Sequence, residues 1–236
     1  METIGIIGAM KTEVTVLCES LENVTSHQIN NLIFYKGKLD GKSVIVVQSG
    51  VGKVNAALCA QLLIIKFGVS KIINTGIAGA IGKGLGVFDF VVSSEAVYHD
   101  VDASIFGYQK GQIPGLDLIF SADKMLAEKA LEVFNESDLS QNHKIMKGRI
   151  ASGDQFIADK NVKDEIINAF NPMCVEMEGA AIAHACYLNK VPFVIIRCMS
   201  DCADDSATNT YEFNEDVCAD MCAGFVRNLI MKLPVE

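Results

Sequence analysis

The sequence predicts a single α/β domain over residues 1–236, with three layers, αβα, around a central mixed, mainly parallel twisted sheet. Three observations lead there. Apolar runs of strand length alternate with helical patterns from end to end, and no Pro-, Gly- or Ser-rich linker breaks the alternation. Half of the residues are hydrophobic and 21% are charged, which supplies a sizeable core and excludes a disordered chain. A length of 236 residues is within reach of one large domain.

Thr3 to Gly8 is an apolar run that reads as a buried strand, followed by a helical pattern from Lys11 to Glu22. Leu32 to Leu39 and Lys42 to Ser49 flank Asp40-Gly41, a strong signal for an antiparallel hairpin. A helix from Lys53 to Phe67 leads to a strand from Lys71 to Thr75, a glycine-rich loop and a strand from Phe88 to Ser94. Val97 to Phe120 is polar, aromatic and without a period; a stretch of that kind inside a compact domain is usually a functional or interface loop. Alternation resumes with helix Ala122 to Asn135, strand Ile145 to Ala151, helix Asn161 to Phe170 and strand Met173 to Met177. Helix Glu178 to Asn189, strand Phe193 to Met199 and helix Tyr211 to Lys232 complete the chain.

Composition narrows the function. Twenty Lys+Arg against 29 Asp+Glu leave a net charge of −9 with no basic run, which argues against nucleic acid and for a small-molecule substrate. The eight cysteines form no CxxC pair and read as reduced core thiols. Cys198/Cys202 and Cys218/Cys222 share an i, i+4 spacing but lack His partners at ligand distance, so no metal is expected. The N-terminal METIGIIGAM has no basic n-region, and no apolar run approaches the ~18 residues of a membrane span, so a cytoplasmic protein is expected.

Ligands of open α/β sheets collect at the carboxyl ends of the strands. There the sequence places Glu13, Gly76 to Gly79, Ser152-Gly153-Asp154 ahead of Phe156, Glu178 and Ser200-Asp201. Carboxyls crowded at one rim repel each other and raise some pKa values, an arrangement suited to acid/base work. Taken singly, each is as well explained as a helix cap after a βα loop. Glu176 and Glu178 are different, because they flank Met177 in an apolar segment where an unpaired carboxylate costs several kcal/mol, roughly. No GxGxxG follows a strand, and Gly50-Val51-Gly52-Lys53 lacks the rest of a P-loop, so triphosphate and dinucleotide binding are disfavoured. The four histidines are scattered and take no role.

The chain resembles the 5′-methylthioadenosine/S-adenosylhomocysteine nucleosidases of the purine nucleoside phosphorylase superfamily, from about Ile4 to Leu229. The resemblance is carried by Gly5-Ile-Ile-Gly-Ala-Met-Lys-Thr-Glu13-Val, Ser49-Gly-Val-Gly-Lys-Val-Asn55 and Asn74-Thr-Gly-Ile-Ala-Gly79. Further along it rests on Tyr98-His-Asp-Val-Asp102 with Phe106-Gly-Tyr108, Ser152-Gly-Asp-Gln-Phe-Ile157, Val175-Glu-Met-Glu178 and Arg197-Cys-Met-Ser-Asp201.

The resemblance implies a nucleoside phosphorylase-like fold and cleavage of an adenine nucleoside without a cofactor. By similarity, Asp201 steered by Ser200 protonates adenine N7, Glu13 activates water, and Glu178 holds the ribose hydroxyls beside the Met177 backbone. Phe156 stacks on adenine, the Ile157 backbone reads its edge, and Arg197 pairs with Glu13 and keeps it ionised. Met10, Ile77 and Tyr211 complete the pocket, and Phe106, Tyr108 and Pro114 reach across a homodimer interface to close the neighbour's 5′-alkylthio site. The chain departs from the family pattern at Ile77, where relatives commonly carry Ser or Thr, at Gly179 for Ala, and at Cys202 for an aliphatic residue. Losing the hydroxyl at Ile77 weighs against phosphate binding. The rival readings are a phosphorylase or an aminodeoxyfutalosine nucleosidase of the same fold, and a nucleoside sensor without chemistry.

Overall fold

The computed structural model describes residues 2–203 and 207–234. Among these, one ten-stranded sheet runs in the order β10-β6-β8-β9-β5-β1-β4-β3-β2, with β7 hanging on β6. The strands are β1 (Thr3–Gly8), β2 (Glu22–Ile29), β3 (Leu32–Leu39), β4 (Lys42–Gln48), β5 (Lys71–Ala80) and β6 (Phe90–Tyr98). They continue with β7 (Phe120–Ser121), β8 (Ile145–Ser152), β9 (Cys174–Glu176) and β10 (Phe193–Asp201). The helices are α1 (Lys11–Glu19), α2 (Lys53–Phe67), α3 (Lys124–Asn135), α4 (Lys160–Phe170), α5 (Gly179–Asn189) and α6 (Ala207–Lys232).

The centre of the sheet is parallel, through β4-β1-β5-β10 and β6-β8-β9. Antiparallel pairs form the β2-β3-β4 edge, the β6–β7 contact, and the β5–β9 and β10–β6 junctions. Because β10 also pairs β5, the strands β5, β10, β6, β8 and β9 curl into a closed ring. The two-residue period of the strands fills both faces. Ile6, Val46, Ile73 and Ile196 pack with α1, α3 and α6, whereas Ile7, Val47, Ile72 and Ile195 pack with α2 and α5. Three layers result. A smaller apolar cluster seats α4, through Ile166 and Phe170, on Val97, Ala151 and Val175. No described helix is long and apolar enough to cross a membrane.

Local chemistry explains several boundaries. Asp40 (φ 48°) and Gly41 (φ 80°) both take left-handed backbone, as a two-residue hairpin with the right twist requires. Asp123 caps α3 by accepting from Leu126 N–H, and Asp159 caps α4 by accepting from Asn161 and Val162 N–H.

The structure corrects the sequence reading in four places. Helix α1 ends at Glu19 rather than Glu22, and Glu22–Ile29 is a strand. That strand is exposed along its length and pairs only with β3, so it carries no apolar alternation to reveal it. The Gly76 to Gly79 segment is not a loop: β5 continues to Ala80 because β10 and β9 both bond to it there. Strand β10 likewise runs through Ser200 to Asp201. Val97 and Tyr98 belong to β6, so the irregular stretch starts at His99 and holds a 3-10 turn at Ser104–Phe106 and the short β7.

Candidate active site

The carboxyl ends of β1, β5, β9 and β10 converge on an open cavity of about 100 Å³. Glu13, Glu178 and Asp201 line it at 4%, 6% and 2% exposure, together with Met10, Ile77, Met177, Ser200 and Tyr211. Phe156 forms part of the wall half-exposed, with its ring edge-on to Tyr211 at 5.5 Å. Ile157 is buried and lines an adjoining recess with Phe156, Gly79 and Asp201.

Glu13 sits one turn into α1 and is both cap and candidate catalyst. Its Oε2 accepts from Ala9 N–H (2.6 Å) and Met10 N–H (2.9 Å), and its Oε1 accepts from Ile77 N–H (3.0 Å). A carboxylate offers about four acceptor sites, so one remains for a water in the cavity. Burial pushes its carboxyl above the usual range; the Arg197 charge and the three N–H donors pull the other way. A side chain at Gly76 would run into the Glu13 carboxyl, so glycine is needed there for close approach.

The pairing expected of Arg197 is different. The guanidinium is 1% exposed and lies beneath the cavity, bonded to Asn74 Oδ1 (2.6 Å) and Glu176 Oε2 (2.5 Å) rather than to Glu13. It acts on Glu13 only through space. Burial opposes its charge, but Glu176, Glu13 and Glu178 outweigh that and raise its pKa. Three acidic side chains surround one cation, which holds the array together in a low-dielectric interior.

Burial cost singled out both Glu176 and Glu178 in the sequence and the resemblance gave a role to Glu178 alone; the structure shows how their work divides. Glu176 Oε2 accepts from Glu178 and Gly179 N–H, and its Oε1 bonds the Ser152 hydroxyl, whose oxygen accepts from Ala180 N–H. Glu176 and Ser152 thereby satisfy the orphan donors at the start of α5. That frees Glu178, whose Oε1 accepts from Gly52 N–H (2.8 Å) and whose carboxyl otherwise faces the cavity. Burial first, then the Glu176 charge, pushes the Glu178 carboxyl up to about 8, against Arg197 and the Gly52 N–H.

Asp201 Oδ2 accepts from the Ser200 hydroxyl at 2.8 Å, and Oδ1 accepts from Ala203 N–H at 2.8 Å. Gly79 faces it, where a Cβ would stand 2.9 Å from Oδ1. Val51 and Ala9 also line the cavity and went unnoticed as wall residues; Val51's only signal was its place between Gly50 and Gly52. Phe106, Tyr108 and Pro114 do not line this cavity within one chain. Ile105 and Phe106 instead project from the 3-10 turn at 87% and 78% exposure. Among the described residues no cluster of His, Cys, Asp or Glu has metal-binding geometry.

The family model of the phosphorylase superfamily matches residues 3–231. The chain belongs to the phosphorylase superfamily. A 5′-methylthioadenosine/S-adenosylhomocysteine nucleosidase from Staphylococcus saprophyticus is 46% identical over 210 residues, 89% of this chain and 90% of that one. The structure of such a nucleosidase from Neisseria meningitidis, in complex with methylthio-immucillin-A, superposes with a TM-score of 0.95 at 38% identity, over 99% of this chain and 100% of that one. Futalosine hydrolase of Helicobacter pylori is also similar, with a TM-score of 0.93 at 34% identity over 98% of each chain. A nucleosidase and a futalosine hydrolase both superpose on this scaffold, so the reading of the chemistry rests on the cavity. Its charged lining is Glu13, Glu176, Glu178 and Asp201, with no Lys, Arg or His among the described wall residues.

Proposed function

We propose that this chain hydrolyses the N-glycosidic bond of 5′-methylthioadenosine and S-adenosylhomocysteine, and of 5′-deoxyadenosine, releasing adenine and the 5′-substituted ribose. One observation carries the hydrolytic reading: the cavity wall is acidic and the Arg197 cation beneath it is bound to Glu176 and Asn74. A phosphate dianion needs free cations, whereas a neutral water needs a base. The absence of a hydroxyl at Ile77 in β5 agrees.

In this reading protonated Asp201, oriented by the Ser200 hydroxyl, gives its proton to adenine N7, and the C1′–N9 electron pair leaves with the base. Glu13 takes a proton from water as the water oxygen bonds C1′. Glu178 grips the ribose hydroxyls beside the Met177 backbone and, with Glu13, stabilises the oxocarbenium-like centre. Phe156 and Ile157 hold adenine between the half-exposed ring and the buried recess, and Met10, Tyr211 and Val51 line the mouth where the 5′ substituent leaves. No cofactor takes part, and the enzyme acts in the cytoplasm.

The pocket is completed by a second copy. The 97–120 segment reaches across a homodimer interface, and Phe106, Tyr108 and Pro114 close the neighbour's 5′-alkylthio site. Support comes from the exposed apolar residues Val54 and Leu58 of α2 and Leu188 of α5, two helices packed against each other, and from the projecting Ile105-Phe106 tip.

The test is adenine release from methylthioadenosine, S-adenosylhomocysteine, 5′-deoxyadenosine and aminodeoxyfutalosine, each with and without phosphate. Phosphate-independent release with free 5-methylthioribose as product is expected. Release of a ribose 1-phosphate would establish a phosphorylase, and a strong preference for aminodeoxyfutalosine would reassign the substrate. Adenine in only stoichiometric amounts would indicate a sensor.

A further inference from the structure

Lys53 breaks a local rule. It is the first residue of α2, where the helix dipole disfavours a cation, and the N-cap Gly52 has no side chain to cap with. The acidic partner comes from elsewhere: Asp154, in the loop after β8, accepts from Lys53 N–H at 2.8 Å. The lysine side chain passes over the Tyr98 ring, 5.4 Å from its centroid, to Asp100 Oδ2 at 2.6 Å and lies 3.8 Å from Asp154 Oδ2. Asp100 Oδ2 accepts from Asp154 N–H at 2.9 Å, which closes the circuit. Lys53 and Asp100 are mostly buried, so their attraction is weakly screened. Burial alone would raise the Asp100 carboxyl, but the Lys53 ammonium and the Asp154 N–H hold it below the usual carboxylate range.

The circuit reaches toward the cavity through Gly52. Gly52 N–H, one peptide from the Lys53 N–H that Asp154 holds, donates to Glu178 Oε1 at 2.8 Å. Gly52 has φ 99°, left-handed backbone that a residue with a side chain resists, so the direction of this N–H depends on how its neighbours are pinned. Val51, on the other side of Gly52, is part of the cavity wall.

We propose that Lys53, held by Asp100 and Asp154, is a positioning residue for the reaction: it fixes the Gly52 N–H and through it the orientation of the Glu178 carboxyl that grips the ribose. The inference rests on the role proposed above for Glu178. A staple that merely tied three loops together would lower stability without singling out one part of the substrate.

The experiment compares Lys53→Met, Glu178→Gln and the double variant, with Asp100→Asn as a second, near-isosteric break in the circuit should Lys53→Met fold poorly. Lys53→Met is expected to lower kcat/KM for methylthioadenosine about 10- to 100-fold, the scale of an ångström's misplacement. Affinity for a 7-deaza 5′-methylthio nucleoside should fall while affinity for free adenine, which does not reach Glu178, stays within about twofold by calorimetry. In the Glu178→Gln background the further loss from Lys53→Met should be less than about threefold, because both changes act through the same carboxylate–ribose contact, which the amide has already lost. Lys53→Arg should restore most of the activity. Penalties that multiply in the double variant, or equal losses of nucleoside and adenine affinity, would overturn the positioning role. If Glu178→Gln itself leaves kcat/KM unchanged, the ribose role of Glu178 falls and the inference with it.

Discussion

Gly76→Ala tests the Glu13 assignment without touching any reacting group. A Cβ on Gly76 would overlap the Glu13 Oε1 atom and stand 2.9 Å from Cδ and 3.3 Å from Oε2. Ordinary carbon contacts lie near 3.5–4.0 Å, so something must retreat by about 1 Å. Backbone yields less readily here, because Gly76 is paired with Arg197 inside the sheet. The carboxyl is the far end of a side chain and gives way first. Oε2 is pinned by Ala9 and Met10, so the loss falls on the 3.0 Å bond from Ile77 N–H to Oε1. Losing a bond to a charged acceptor costs about 1.5–3 kcal/mol. For a domain of this size that is about 3–12 °C in Tm. Displacing the water-activating oxygen by about 1 Å costs about 10²-fold in rate. The assay is adenine release at saturating methylthioadenosine, with adenine affinity and thermal unfolding measured in parallel. We expect kcat to fall about 100-fold on that basis and adenine binding to persist. A kcat within about threefold of the starting protein would refute the claim that the Glu13 position governs the chemistry.

Asp201→Asn is expected to cut turnover by about 10²- to 10⁴-fold, since an amide has no proton to give; its Oδ1 can still accept from Ala203 N–H, so Tm should hold, and near-normal turnover would disprove the acid role. Stability should depend on pH through Glu178: between the ordinary carboxyl value of 4.5 and about 8, the folded protein keeps a proton that the unfolded chain has released. Stability therefore falls as pH rises through that window, by up to about 1.4 kcal/mol per pH unit, and urea unfolding of Glu178→Gln should show a shallower slope; identical slopes would contradict it. Phe106→Ala and Tyr108→Ala should raise KM for thioether nucleosides more than they lower kcat, and sedimentation should show a dimer. A fully active monomer, or a double variant with unchanged KM, would rule that arrangement out.

The amino-acid sequence by itself determined the fold class, the order of the buried strands and the carboxyls at their ends, because buried strands and capped helices write short-range periodic patterns. Asp40-Gly41 placed its hairpin for the same local reason. Where a pattern was missing, as in the exposed edge strand Glu22–Ile29, the element was invisible until β3 was seen beside it. Motif resemblance also singled out Glu13, Glu178 and Asp201, which the structure brings to one cavity. Only the tertiary structure decided what each charge faces. Glu176 and Glu178 are two residues apart in one apolar segment, yet one is spent on Arg197 and the start of α5 and the other opens to the cavity. The Arg197 partner, the extension of β5 through Gly76 and Gly79, and the link from Asp100 through Lys53 to Glu178 depend on chain segments 20 to 130 residues apart, roughly. Electrostatic partnership follows distance in space, to which a local sequence pattern carries no signal, so those choices become legible only when the strands are closed into one sheet.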